Sequence, residues 1–186
     1  MTSACATASD TAAARLIVTH EPALYAFGMR YACTLGRSGF SSTKREGDGA
    51  TPLGCFPIIE GYYRADRLEC PRTALPMHAI TPEMGWCDDP QRVEYNQRVS
   101  LPFAGSHEQL WREDHCYDFF LVIGYNTPHT KAGAGSAIFI HLPHDDGRTT
   151  AGCIALQKDA LLALLPHLST QTTIELGVNA PINYHP

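Results

Sequence analysis

Two short apolar runs, YDFFLVIGY at 117–125 and AIFIHL at 137–142, constrain the fold more than any other feature of the chain. Both are bounded by Gly, Pro or Asn. Apolar runs this short between turn signals read as central strands buried on both faces. The same reasoning extends along the chain. RLIVTH at 15–20 and ALYAFGMRYAC at 23–33 are strand candidates separated by a turn at Glu21 and Pro22, and CFPIIEGYYRAD at 55–66 is another. TTIELGV at 172–178 is the last. One helix stands out, DALLALLPHL at 159–168, with Leu161, Leu162, Leu164, Leu165 and Leu168 along one face and Pro166 set to end it early. The expected fold class is mainly β, a mixed sheet or sandwich with one packed helix.

Two long segments have no clean period. Residues 36–54 form a polar loop crowded with Gly, Ser and Thr, whose KREGDG stretch reads as a solvated tip rather than a phosphate cradle. Residues 64–116 hold both tryptophans among Pro, Gly and charges. Excursions of that length are commonly lids or binding loops. Residues 1–14, rich in Ala, Ser and Thr, are expected to be a loose tail ahead of a single domain over 15–186.

Composition then removes function classes. Hydrophobic residues at 44% and charged residues at 18% of 186 suit a globular chain that builds its own core. A formal charge of −5 with no basic run argues against nucleic acid or a membrane surface as partner. No apolar stretch approaches the roughly 18 residues of a spanning helix. The start has neither a basic region nor an apolar one, so no signal peptide is read there. Seven cysteines, an odd number with no C-x-x-C pair, exclude common zinc-ribbon and thioredoxin patterns. Cys33, Cys55 and Cys116 lie in or beside apolar segments and read as small buried residues.

Chemistry concentrates in AIFIHLPHDDGRTTAGCIALQKDALLALL, residues 137–165. An apolar strand delivers His141, and a loop of small residues then leads through Thr150 and Gly152 to Cys153 and the helix. A thiol shortly before a helix N-terminus is favoured as thiolate, glycine admits a carbonyl closely, and His141 is a base of the right kind. Backbone N–H groups around Cys153 are candidates for an oxyanion hole. A metal reading competes, with His141, His144, Asp145, Asp146 and Cys153 all ligand types. A Pro/Gly loop makes solvated charge the simpler account of that set, so no metal is expected.

The same segment resembles the catalytic stretch of the YkuD-like L,D-transpeptidases, in which a strand-borne His and a short loop precede Ser/Thr-x-Gly-Cys-Ile. KREGDGATPLGCFPI at 44–58, GWCDDP with YN at 85–90 and 95–96, and LWREDHCYDFFLVIGYN at 110–126 are similar to other blocks of that superfamily. The likeness covers roughly residues 15–178. It departs at Ala151, Ala155 and Leu142, where relatives carry His, Arg or Asn, and Gly.

That resemblance implies the L,D-transpeptidase catalytic fold and a two-step acyl transfer. Cys153 would be the nucleophile, His141 its base oriented by the Leu142 carbonyl, and Thr150 and Gly152 the loop shaping the oxyanion site. It implies peptidoglycan stem peptides containing diaminopimelate as partners, 3-3 or 1-3 crosslinks as products, no cofactor, capture by carbapenems, and work in the periplasm or cell envelope. Substrate contacts are expected from Trp86, Asp88, Asp89, Tyr95 and Asn96 in the excursion, from Tyr125, and from Arg148 beside the nucleophile loop. An anchored loop or a strand end would account for these residues equally. Two alternatives keep the same fold: a carboxypeptidase or amidase that uses water, and a peptidoglycan-binding module with an inert thiol.

Overall fold

The structure is a computed structural model and describes residues 14–179. The expected tail lies, up to residue 13, outside the described residues. The strands in chain order are β1 (Arg15–Thr19), β2 (Ala23–Ala26), β3 (Met29–Thr34), β4 (Phe40–Ser41), β5 (Thr51–Pro52), β6 (Gly54–Tyr63) and β7 (Met77–Ala79). They continue with β8 (Met84–Cys87), β9 (Arg98–Ser100), β10 (His107–Gln109), β11 (Phe119–Ile123), β12 (Phe139–His141) and β13 (Ile154–Leu156), then helix α1 (Lys158–Leu164) and β14 (Thr173–Val178). The described residues are thus mainly β with one short α-helix, as the sequence suggests.

The main sheet runs β11-β12-β13-β3-β2-β1-β14-β6, and β6 also pairs with β11, so the strands close into a barrel-like ring. Three pairings are parallel, β1 with β14, β12 with β13, and β6 with β7; the other ladders of this sheet are antiparallel. Every residue of β11 is buried because alternate side chains serve two different cores. Phe119, Leu121 and Ile123 join Leu16, Leu24, Ile140, Ile154 and the α1 residues Leu161 and Leu164 on one face. Phe120 and Val122 join Tyr62, Trp86, Tyr117 and Phe139 on the other, where the Tyr62 and Phe120 rings stack at 5.0 Å. Burying a side chain of this size contributes about 1.5–3 kcal/mol.

Four local readings of the sequence change. Residues 23–33 are two strands rather than one, because Phe27 and Gly28 take φ of 50° and 78° and form a two-residue hairpin turn between paired Ala26 and Met29. The helix ends at Leu164 and continues as a three-ten turn over Leu165–His167 containing Pro166, and Leu162 faces solvent rather than the core. The excursion is not irregular throughout: β7 joins the main sheet, while β10, β8 and β9 make a separate three-stranded sheet over the second core. Among the cysteines, Cys55 is exposed rather than buried, since it lies on the solvent side of β6.

Candidate active site

In the parallel pair of β12 and β13, Ile140 faces Ile154 and His141 faces Ala155. Cys153, two residues before Ala155, therefore shares its face of the sheet. Both Cys153 and His141 line one cavity of about 370 Å³. The Cys153 thiol donates to the Ala137 carbonyl at 3.1 Å, and its sulfur accepts the Phe139 N–H at 3.3 Å. Behind it, Thr150 donates its hydroxyl to the Cys153 carbonyl at 2.6 Å and accepts the Gly152 N–H at 3.2 Å. That N–H is consequently engaged within the loop. Gly152 itself is irreplaceable by shape: at φ 143° a Cβ would sit 2.7 Å from the Ala50 carbonyl oxygen.

Nδ1 of His141 lies 2.6 Å from the Leu142 carbonyl oxygen. A carbonyl only accepts, so Nδ1 carries the proton and Nε2 presents its lone pair. Burial pushes the imidazole down to about 4, partly offset by that hydrogen bond. The Cys153 thiol is raised, first by burial and then by the Glu108 carboxylate, against the Phe139 N–H and Lys44. Both shifts favour the uncharged forms, a thiol and a neutral imidazole. The expected helix N-terminus does not act on it, because the strand β13 intervenes before α1 begins at Lys158.

The remaining candidates divide. Asp88 lines the cavity, and its Oδ1 is the one buried side-chain nitrogen or oxygen without a hydrogen-bond partner among the described residues. Asp89 lies outside the lining; it accepts the Gln91 N–H at 3.0 Å and approaches Arg92 at 3.7 Å, as a turn cap does. Trp86 is buried against Phe139 at 5.1 Å and donates its indole N–H to Asn96 at 3.1 Å. Asn96 also accepts the Ala137 N–H at 3.0 Å and donates to the carbonyls of Tyr125 and Asn126 at 3.0 and 3.2 Å. Tyr95 donates to Glu46 and accepts the Gly135 N–H at 3.0 Å, and Tyr125 donates to the Ala134 carbonyl at 2.6 Å. None of these four lines the cavity of Cys153; Trp86, Asn96 and Tyr125 line a second one of about 360 Å³. Arg148 is exposed, paired with Asp146 at 3.4 Å. Asp145 and Asp146 are exposed too, so the metal set considered from the sequence is not gathered.

The cavity wall also contains residues that the sequence did not single out. Lys44 is not on a solvated tip: its side chain is 4% exposed and bonds Asp48 at 2.7 Å. Asp48 in turn accepts the N–H groups of Arg45 and Ala50, folding the loop over the nucleophile segment. An Asp between glycines is an Asx-turn signature, which was the available signal for an ordered loop. From the other side come Arg112, Tyr117 and Glu108, the last accepting the Tyr117 hydroxyl at 2.6 Å and raised by burial.

A closed mixed sheet with a buried thiol and imidazole opening on one shared cavity defines the class of protein. The model of the YkuD family, described as the L,D-transpeptidase catalytic domain, matches residues 10–176, so the chain belongs to that family. The structure is similar to the crystal structure of the helical cell shape determining protein Pgp2 from Campylobacter jejuni, with a TM-score of 0.51 and 14% identity over 91% of this chain and 49% of that one. It also aligns with Mycobacterium tuberculosis L,D-transpeptidase 1 at a TM-score of 0.41 and 12% identity, covering 89% of this chain and 62% of that one. The chain thus spans about half the length of Pgp2. No curated protein matches by sequence.

Proposed function

We propose that the protein is a peptidoglycan L,D-transpeptidase in which Cys153 carries the acyl group between two stem peptides. As Sγ attacks the amide carbon of the donor stem, Nε2 of His141 takes the thiol proton. Collapse of the tetrahedral adduct breaks the C–N bond, and the imidazolium returns that proton to the leaving amine. A thioester remains on Cys153. The amine of a diaminopimelate residue on an acceptor stem then attacks, His141 takes its proton, and the departing thiolate recovers it. No cofactor enters either half. The observation that carries this reading is the His141 tautomer, fixed by the Leu142 carbonyl with its lone pair free beside the cavity that also receives the Cys153 thiol. Work on peptidoglycan implies that the protein acts in the periplasm or cell envelope.

Substrate positioning follows from charge. A zwitterionic diaminopimelate side chain needs an anion for its ammonium, and Asp88 has a buried oxygen free to accept. The cation in the cavity lining beside the nucleophile loop is Lys44 rather than Arg148. Defined muropeptides incubated with the protein and weighed by mass spectrometry test the reading. Crosslinked dimers are expected, of 3-3 or 1-3 type, and Cys153→Ala should form none. Dimers from Cys153→Ala would overturn the mechanism, and shortened monomers alone would make the enzyme a carboxypeptidase or amidase.

A further inference from the structure

Cys116 and His144 line the same cavity, and with Asp114 beside them they form a second group of donors that the acyl transfer does not use. Asp114 and Cys116 flank the start of the three-ten turn His115–Tyr117, and His144 comes from the loop after β12; their donor atoms all lie within 4.8 Å of one another. Sγ of Cys116 is 3.4 Å from Oδ1 of Asp114 and 3.4 Å from Nδ1 of His144. A tetrahedral zinc ion, with bonds of about 2.3 Å to sulfur and about 2.0–2.2 Å to nitrogen or oxygen, holds its ligand atoms roughly 3.5 Å apart. Both edges that meet at the thiol already have that length. We propose that Asp114, Cys116 and His144 form a Zn²⁺ site, three protein ligands with the fourth position open to the cavity.

The surroundings suit an ion there. Arg148 Nη2 stands 3.2 Å from Nδ1 of His144, and a guanidinium only donates, so the Nδ1 lone pair accepts that N–H and the exposed Arg148 must swing away for a metal to take its place. Arg112 holds both Asp114 oxygens in a fork at 2.8 and 2.6 Å, which fixes the carboxylate while leaving lone pairs for a metal. The Leu142 N–H bonds the Cys116 carbonyl at 3.1 Å, tying the turn to the end of β12. One thiolate, one imidazole and one carboxylate match the borderline softness of zinc, whereas calcium and magnesium take oxygen ligands. On binding, Cys116 releases its thiol proton to solvent, and the thiolate and carboxylate together balance the two charges of the ion.

Cobalt(II) titration of the full chain, read through the thiolate-to-cobalt charge-transfer band, tests this alongside zinc calorimetry. One equivalent is expected to bind with the band present, both in the unaltered protein and in Cys153→Ala. Cys116→Ala should lose the band and weaken zinc by more than about a hundredfold, since even outer partners of a metal site are worth about 10–100-fold. His144→Ala, a change on a partly exposed loop that leaves both cores intact, should weaken zinc comparably, and Arg148→Ala should bind as tightly or more so. A band that survives Cys116→Ala, a band lost in Cys153→Ala, undiminished zinc binding by His144→Ala, or no binding at all overturns the site. The readout is the ion itself, so the result stands apart from transfer activity.

Discussion

Burial acts on Cys153 and His141 in opposite directions, raising the thiol and lowering the imidazole to about 4. Proton transfer is therefore coupled to attack rather than completed beforehand, and His141 remains a competent base well below neutrality. The acid limb of transfer is expected near pH 4 instead of near 6.5, in a kcat/KM profile on a defined muropeptide. Stability follows with a definite sign. A histidine whose folded value is depressed contributes fully above 6.5, and that contribution is lost as pH falls toward 4. At about 1.4 kcal/mol per pH the gap amounts to about 3 kcal/mol. Urea midpoints of the unaltered protein and His141→Gln, compared at pH 7 and pH 4.5, should show the acid penalty only in the former. Asp88 belongs to the same scale. A charged hydrogen bond is worth about 1.5–3 kcal/mol, so Asp88→Asn should lose roughly tenfold to a hundredfold in kcat/KM. Alkylation of Cys153 should continue unchanged, and Asp89→Asn, outside the lining, should transfer normally. Equal losses from both variants would refute the assignment.

Asn96 ties the sheet of β8–β10 to the segments beside the catalytic strands through hydrogen bonds. Its φ of 60° is a left-handed conformation that asparagine tolerates, and its amide joins Trp86, Ala137, Tyr125 and Asn126. The Ala137 carbonyl in turn accepts the hydrogen bond of the Cys153 thiol, so this element and the thiol share a support. Asn96→Ala strands several buried polar groups, and a loss of about 3 kcal/mol is expected in chemical denaturation; a change below 0.5 kcal/mol, the usual ceiling for surface substitutions, would contradict the bracing role. This element also marks where the sequence stopped being legible. The segments of β11, β12, α1 and β14 were readable because their apolar periods are local, and Cys153 and His141 because they sit in one contiguous motif. For Trp86 the sequence offers a loop anchor and a substrate contact alike, because nothing local discloses the Tyr62, Phe139 and Asn96 partners that enclose it. Lys44 looked solvated for the same reason: its burial depends on Asp48 and the folded loop.

For the molecule as a whole, selectivity among thiols is the sharpest test. Six cysteines are free among the described residues, and Cys55 and Cys70 are exposed while Cys153 is buried. Accessibility alone would direct a reagent to the exposed pair. A carbapenem, however, is a strained acyl donor that needs a base and a shaped cavity, so intact-mass spectrometry should find one adduct, mapped to the peptide containing Cys153. An adduct on Cys55 or Cys70 would contradict the assignment.

The ring of strands also governs the order in which the protein can be made. β1 finds its parallel partner in β14, more than 150 residues later by the register of Arg15 with Thr173. A ribosome releases the first strand long before the last, so β1 and β6 must wait with open edges beside β2 and β11 until the closing strand emerges. Contacts of such sequence separation make for slow folding and an interval of exposure to aggregation. The geometry that seals the finished barrel therefore leaves the nascent chain dependent on the late arrival of β14, and on whatever shields those edges in the meantime.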